Sequence, residues 1–201
     1  MTVTRTCLHL NAFCHLIIIL FSAVCCSNIF AVEVTQKKIT DDSFRNLYPD
    51  ALNNVYPEVS GNNVTWRAYS NSALWGIYLY DGSTITQLYS GIYDVGIPRI
   101  SGENVVWAQW DGNDYEQYLF DGSNVTQLTN NLHDESYYAA ISGDNIVWTG
   151  YDGNNIEVFF YDGSDVSQLT SNLIEELDPQ ISGDNVVWYG SDGNDHEIYH
   201  F

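Results

Sequence analysis

Beyond residue 26 the chain contains no cysteine; Cys7, Cys14, Cys25 and Cys26 are the only four. Disulfides, thiol nucleophiles and thiolate metal sites are therefore excluded from the rest of the chain, whose stability must come from a packed core. Basic residues are also scarce, six Lys and Arg against 26 Asp and Glu, a formal net charge of −20. Nucleic acids and anionic membranes are poor partners for such a surface, because both are bound through Lys and Arg that displace counterions. After residue 31 there are three histidines, His133, His196 and His200, and neither a His-Glu-x-x-His nor a Gly-x-Ser-x-Gly motif occurs. A 3.6-residue apolar period is missing from the same stretch, which excludes a helical solenoid. What the chain has instead is aromatic residues, six Trp, 15 Tyr and eight Phe, enough for a sizeable core.

The first residues read as a targeting segment. Arg5 is the only charge before Glu33, Ala12 to Val24 is apolar apart from Cys14, His15 and Ser22, and Ile29-Phe30-Ala31 offers a small residue for cleavage. This pattern predicts a signal peptide over 1–31 and an exported product that is secreted, periplasmic or at the cell surface, without a membrane span after cleavage. An uncleaved anchor and a lipoprotein on Cys25 or Cys26 are the alternatives. Asn63-Val64-Thr65 and Asn124-Val125-Thr126 are glycosylation sequons if the host is eukaryotic.

Residues 32–201 are dominated by a repeat. Ser-Gly recurs at Ser60, Ser101, Ser142 and Ser182, at spacings of 41, 41 and 40, with Trp66, Trp107, Trp148 and Trp188 each six residues later. Asp-Gly-Asn follows at Asp111, Asp152 and Asp192, replaced in the first copy by Ser70-Asn71-Ser72. An aromatic segment then ends in Asp-Gly at Asp81, Asp121 and Asp162, and Gln-Leu closes the unit at Gln87, Gln127 and Gln168. Each segment is β-branched and aromatic, and the Asp-Gly pairs between them are hairpin turns. Ile77 and Leu79 alternate with Tyr78 and Tyr80, so both faces are apolar and the sheet is covered on both sides. Four short strands per forty or so residues, sandwiched between equivalent sheets, describe a β-propeller blade. The fold class is all-β, with repeats at about 57–97, 98–138, 139–178 and 179–201; a β-sandwich is the structural alternative.

The unit resembles the TolB-like, WD40-like propeller repeats of exported bacterial proteins. Ser182-Gly183-Asp184-Asn185-Val186-Val187-Trp188, Glu197-Ile198-Tyr199, Leu128-Thr129 and Leu169-Thr170 carry the resemblance, over about residues 42–201. It implies the fold and export. The chain departs from the family in lacking Pro after the Ser and in lacking the additional N-terminal domain of TolB.

The last copy lacks its outermost strand. Phe44-Arg45-Asn46-Leu47 aligns with Val166-Ser167-Gln168-Leu169, since Leu47 lies 13 residues before Ser60 as Leu169 lies 13 before Ser182. The expectation is that 42–47 pairs beside Ile198-Tyr199 and closes a four-bladed, monomeric ring. The rivals are a half-ring that forms a homodimer and a fragment of a larger propeller.

The Asp-Gly-Asn turns and the connections after Gln-Leu share one face of this fold. The connections differ between copies and carry His133, Asp134, Glu135, Glu175 and Glu176, the candidate binding residues for a basic or cation-bridged partner. Asp111, Asp114, Asp152, Asp192 and Asp195 on the same face are candidate calcium ligands, although no Asp-x-Asp-x-Asp-Gly loop with a distal Glu is present. Glu116, Glu157 and Glu197 recur in register and read as fold-making, as do the tryptophans. These features predict a non-enzymatic exported module for protein or glycan binding or scaffolding at the cell envelope, with no obligatory cofactor. The alternatives are a structural cell-surface repeat protein and a propeller-type polysaccharide lyase or hydrolase.

Overall fold

The computed structural model describes residues 36–51 and 53–201. The expected signal peptide over 1–31 lies outside the described residues. Four antiparallel sheets follow one another along the chain. Strands β1 (Asn53–Ser60), β2 (Asn63–Tyr69), β3 (Trp75–Tyr80) and β4 (Ile85–Gly91) form the first. The second comprises β5 (Arg99–Ser101), β6 (Asn104–Trp110), β7 (Tyr115–Phe120) and β8 (Val125–Gln127), and the third β9 (Glu135–Ser142), β10 (Asn145–Tyr151), β11 (Ile156–Tyr161) and β12 (Val166–Gln168). The fourth has three strands, β13 (Glu176–Ser182), β14 (Asn185–Ser191) and β15 (His196–His200). Within every sheet the strands lie in sequence order, the meander expected of a propeller blade.

The recurring residues have separable structural jobs. Ser101 pairs with Asn104 across a two-residue turn in which Gly102 takes φ +62°, the left-handed conformation that a hairpin turn needs at its first central position. The serine also links sheets. The hydroxyls of Ser60, Ser101 and Ser142 accept the N–H of Gly102, Gly143 and Gly183 respectively, each at 2.9 Å. Asn63, Asn104 and Asn145 donate in parallel to the carbonyls of the same three glycines. The Ser-Gly-x-Asn motif is thus both a turn and a sheet-to-sheet clasp.

The tryptophans are buried and stack on the aromatic directly opposite them on the neighbouring strand. Trp66–Tyr78, Trp107–Tyr118, Trp148–Phe159 and Trp188–Tyr199 have centroids 5.7 to 6.1 Å apart and ring planes within 16°. Trp107 packs with Val105 against Ile77 and Leu79 of the first sheet. Trp148 packs with Ile146 against Val106 and Leu119 of the second, and Trp188 with Val186 against Val147 and Val158 of the third. The second, third and fourth sheets therefore each lay their tryptophan face on the preceding sheet.

Two findings correct the expected closure. Residues 42–47 are not a strand but a helix, α1 (Asp42–Leu47). The Asp41 carboxylate caps it by accepting the N–H of Ser43 and Phe44, at 2.9 and 3.2 Å. This Asp-Asp-Ser capping signal outweighs the alignment on Leu47, whose side chain is 73% exposed. Second, α1 covers the opposite end of the stack from β15. Phe44 lies against Trp66 and Tyr78 at 5.8 and 5.4 Å, so the helix occupies the place on the first sheet that a preceding sheet would fill. Among the described residues β15 pairs only with β14. The outward face of the last sheet carries Val187 and Ile198, the latter 76% exposed.

Candidate functional site

The Asp-Gly-Asn turns are held by their first residue. The Oδ1 atoms of Asp111, Asp152 and Asp192 accept the N–H groups of Asn113, Asn154 and Asn194 at 2.8 to 2.9 Å. Backbone donors hold two of these carboxyls below the usual range: Asn155 N–H, at 3.1 Å, together with Asn154 for Asp152, and Asn194 for Asp192. Two of the candidate calcium groups converge. Asp111 and Asp114 join Glu116, and Asp192 and Asp195 join Glu197, with one oxygen per residue lying within 4.8 Å of the others. Asp152 gains no such partner, because Asn155 stands where the other copies have Asp114 and Asp195; its Oδ2 accepts from Gln168 at 3.2 Å.

The candidate binding residues divide by burial. His133, Asp134 and Glu175 lie toward solvent, whereas Glu135 and Glu176 are buried, at 5% and 1% exposure, and point into the junctions between sheets. At one junction Glu116 Oε1 accepts Asn131 N–H at 2.8 Å, and Asn131 Nδ2 donates to Glu135 Oε1 at 2.8 Å. At the next, Glu157 Oε1 accepts Asn172 N–H at 2.9 Å, and Asn172 Nδ2 donates to Glu176 Oε1 at 2.6 Å. Burial, reinforced by the charges of Glu116 and Asp114, pushes the Glu135 carboxyl up to about 7. Burial likewise raises Glu176, with the neighbouring Glu157 adding to it. The sequence signal for this device is the shared Asn-Leu-x-x-Glu of Asn131–Glu135 and Asn172–Glu176.

A second region is a groove of about 540 Å³ on the first strands of the sheets, lined by Arg99, Tyr137, Tyr138, Asp178, Gln180 and Tyr189 among others. Asp178 sits in a bulge of β13 at φ +50°, and Tyr56 occupies the equivalent bulge of β1 at φ +53°. Non-glycine residues at positive φ cost about 1–3 kcal/mol and concentrate at functional positions. Beside the groove, Arg67 lies over the rings of Tyr56, Trp75 and Tyr137 and donates to Val95 O at 2.6 Å. Arg99 pairs with Glu58 at 3.1 Å. A smaller hollow of about 280 Å³, lined by Asp134 and Tyr151, shares Ser136 and Thr149 with the groove and so extends it toward the Asp-Gly-Asn face. The repeat pattern alone does not reveal this groove. A signal for it exists, since one repeat position holds Tyr56, Ile97, Tyr138 and Asp178 and so varies between copies inside an otherwise regular unit.

Neither a protein-family model nor a curated protein sequence matches the chain. Solved structures do. The β-propeller domain of the Trilobed protease from Pyrococcus furiosus, described as revealing an open velcro topology, is similar at TM-score 0.59 and 11% identity, over 72% of this chain and 51% of that one. TolB from Acinetobacter baumannii is similar at TM-score 0.55 and 20% identity, over 74% of this chain and 40% of its own. Pyrococcus horikoshii acylaminoacyl peptidase gives 0.57 and 12%, over 72% of this chain and 25% of its own. At these identities the likeness is one of fold. The chain is a propeller-type protein of four antiparallel sheets. It spans about a quarter of the peptidase chain and half of the isolated propeller domain. No helix among the described residues is long and apolar enough to cross a membrane.

Proposed function

We propose that this is an exported, non-enzymatic propeller module that binds a protein or glycan partner at the cell envelope, through the groove on its first strands. The observation that carries the reading is the groove itself: exposed Tyr138 and half-buried Tyr137 and Tyr189 beside Arg99, Asp178 and Gln180, with Asp178 held at positive φ in a bulge of β13. Aromatic faces offer stacking area at little entropic cost, and the polar groups among them fix orientation. The continuation of the groove toward Asp134 puts that carboxylate at its rim rather than its centre. A polymer with alternating apolar and hydrogen-bonding groups, whether a peptide segment or an oligosaccharide, suits this lining.

The test uses Tyr138→Ala and Arg99→Ala in the full chain, with calorimetric titration of defined envelope oligosaccharides and peptide panels. Binding by the wild type that drops at least about tenfold in both variants, with unchanged melting, supports the reading; about 1.4 kcal/mol of lost affinity corresponds to that factor. Equal binding by wild type and variants would move the partner off the groove. Turnover of any panel member would replace a binding role with a catalytic one.

A further inference from the structure

Asp111, Asp114 and Glu116 run from the turn into β7. Residues two apart in an extended strand share a face, so Asp114 and Glu116 direct their carboxylates to the same side, where the turn folds Asp111 back toward them. One oxygen from each lies within 4.8 Å of the others. Two oxygens bound on opposite sides of one calcium ion are about 4.6–5.2 Å apart, given bonds of about 2.3–2.6 Å. The three oxygens fit inside that span.

Crowded acids alone prove nothing in so acidic a chain, but here two of them are interior. Asp114 is 5% exposed and Glu116 is fully buried, yet Asp114 Oδ1 and Glu116 Oε2 have no hydrogen-bond partner. Buried carboxylate oxygens are ordinarily paired, because an orphaned one loses its hydration without replacement. The Thr129 hydroxyl lies beside the Glu116 carboxylate, yet Oε2 stays unbonded. Glu135, the residue placed to share a proton with Glu116, has Oε1 bonded to Asn131 and Oε2 to the Trp148 indole N–H at 2.6 Å. Asp134, accepting from Tyr115 N–H at 3.1 Å, brings a fourth carboxylate to the same turn.

The third sheet serves as an internal control. Its Glu157 also has an orphaned Oε2, but there Asn155 replaces Asp114 and Glu176 stands against Glu157, so the repeat meets the same problem with one charge fewer and no triad. In the fourth sheet Asp192, Asp195 and Glu197 repeat the triad entirely in solvent, where no orphaned oxygen demands a ligand.

We propose that Asp111, Asp114 and Glu116 bind a calcium ion at the turn between β6 and β7, with Glu116 Oε2 and Asp114 Oδ1 as its interior ligands. Asp111 supplies the third carboxylate at the partly exposed rim, and water completes the six to eight oxygens that calcium takes. The ion fixes the β6–β7 turn of the second sheet, where Asp134 from the connection to the third sheet accepts Tyr115 N–H. Magnesium, which demands a near-ideal octahedron and dehydrates reluctantly, suits three carboxylates on a turn less well than calcium with its flexible shell of oxygens.

The test is calorimetric titration of the chelator-stripped full chain with calcium chloride, alongside melting curves in calcium, magnesium and EDTA. One bound calcium and a melting midpoint several degrees higher in calcium than in EDTA or magnesium is the expected result. Asp114→Asn reproduces the side chain that the third sheet already tolerates, and it should weaken calcium binding at least tenfold while the protein stays folded. Asp195→Asn should leave the calcium response intact. An absent calcium response, or one that survives Asp114→Asn, or one abolished by Asp195→Asn instead, would each overturn the site.

Discussion

The indole N–H of Trp148 donates to Glu135 Oε2 at 2.6 Å, joining a core aromatic to a residue that sequence reasoning put on a binding loop. The equivalent pair does not form in the next repeat. Glu176 turns its second oxygen to the Thr170 hydroxyl at 3.3 Å and stands against Glu157, and Trp188 Nε1 is left buried without a partner. One motif thus has two hydrogen-bond arrangements, and the choice decides whether the tryptophan N–H of the junction is satisfied.

Replacing these two tryptophans by Phe separates the arrangements. Trp148→Phe removes the donor to a buried carboxylate and should cost about 1–3 kcal/mol beyond the loss of ring volume. Trp188→Phe removes an N–H that has no partner and should cost only the volume term. The gap between the two variants should widen from pH 5 to pH 8, because Glu135 titrates near 7 and needs its donor most when charged. Urea midpoints of the two proteins at both pH values would measure it. Equal costs would mean that the Trp148–Glu135 bond contributes nothing.

Glu176 predicts a pH dependence. Its carboxyl is raised from 4.5 to about 6, so across that window the folded chain holds a proton that the unfolded chain has released. The folded state binding more protons means that stability falls as pH rises through the window and levels off above it. Glu135, raised to about 7, extends the same slope. Glu176→Gln should flatten the part of the melting-temperature profile between about pH 4.5 and 6. It should also raise the midpoint at pH 8, because the amide can donate to Glu157 without carrying a charge. A profile that keeps its wild-type slope in this variant would assign the pH dependence to other carboxyls.

The repeat made the sheets legible. Turn glycines, the tryptophan layer and the strand boundaries follow from register, because each performs the same local job in every copy. What register concealed was the difference between copies. Glu135 and Glu176 looked like variable-loop residues because the positions before them vary, whereas their shared Asn-Leu-x-x-Glu spacing marks them as junction residues. Glu116 looked purely structural because it recurs, yet its surroundings change with Asp114 or Asn155 two residues earlier. The groove was marked only by one varying repeat position, for a third reason. It forms from matching segments of several sheets, about forty residues apart in sequence, and only the stacking brings them together.

Helix α1 is the element that alignment misread, and its role can be tested separately. Phe44 is 2% exposed and covers Trp66 and Tyr78. Phe44→Ala should destabilise the fold by about 3–5 kcal/mol, with amide protection lost first in β2 and β3. Protection in β15 should fall no earlier than in the wild type. Early loss at β15 would restore the arrangement in which this segment closes the last sheet.

The outward face of that last sheet yields the sharpest comparison, because the repeat supplies its own reference. Val158 and Ile198 occupy the same repeat position, two residues after Ile156 in β11 and two after His196 in β15, on the face turned toward the following sheet. Val158 is fully buried against Val186 and Trp188, and its truncation to Ala should cost about 2 kcal/mol from lost burial and the cavity left behind. Among the described residues no sheet lies on Ile198, which is 76% exposed. Its truncation should therefore stay within about 0.5 kcal/mol, as surface substitutions do. Chemical denaturation of the two alanine variants, at several protein concentrations, reads the difference directly. A cost at Ile198 approaching that at Val158 would show that this face is covered in solution, and a cost that grows with protein concentration would show that a second copy covers it.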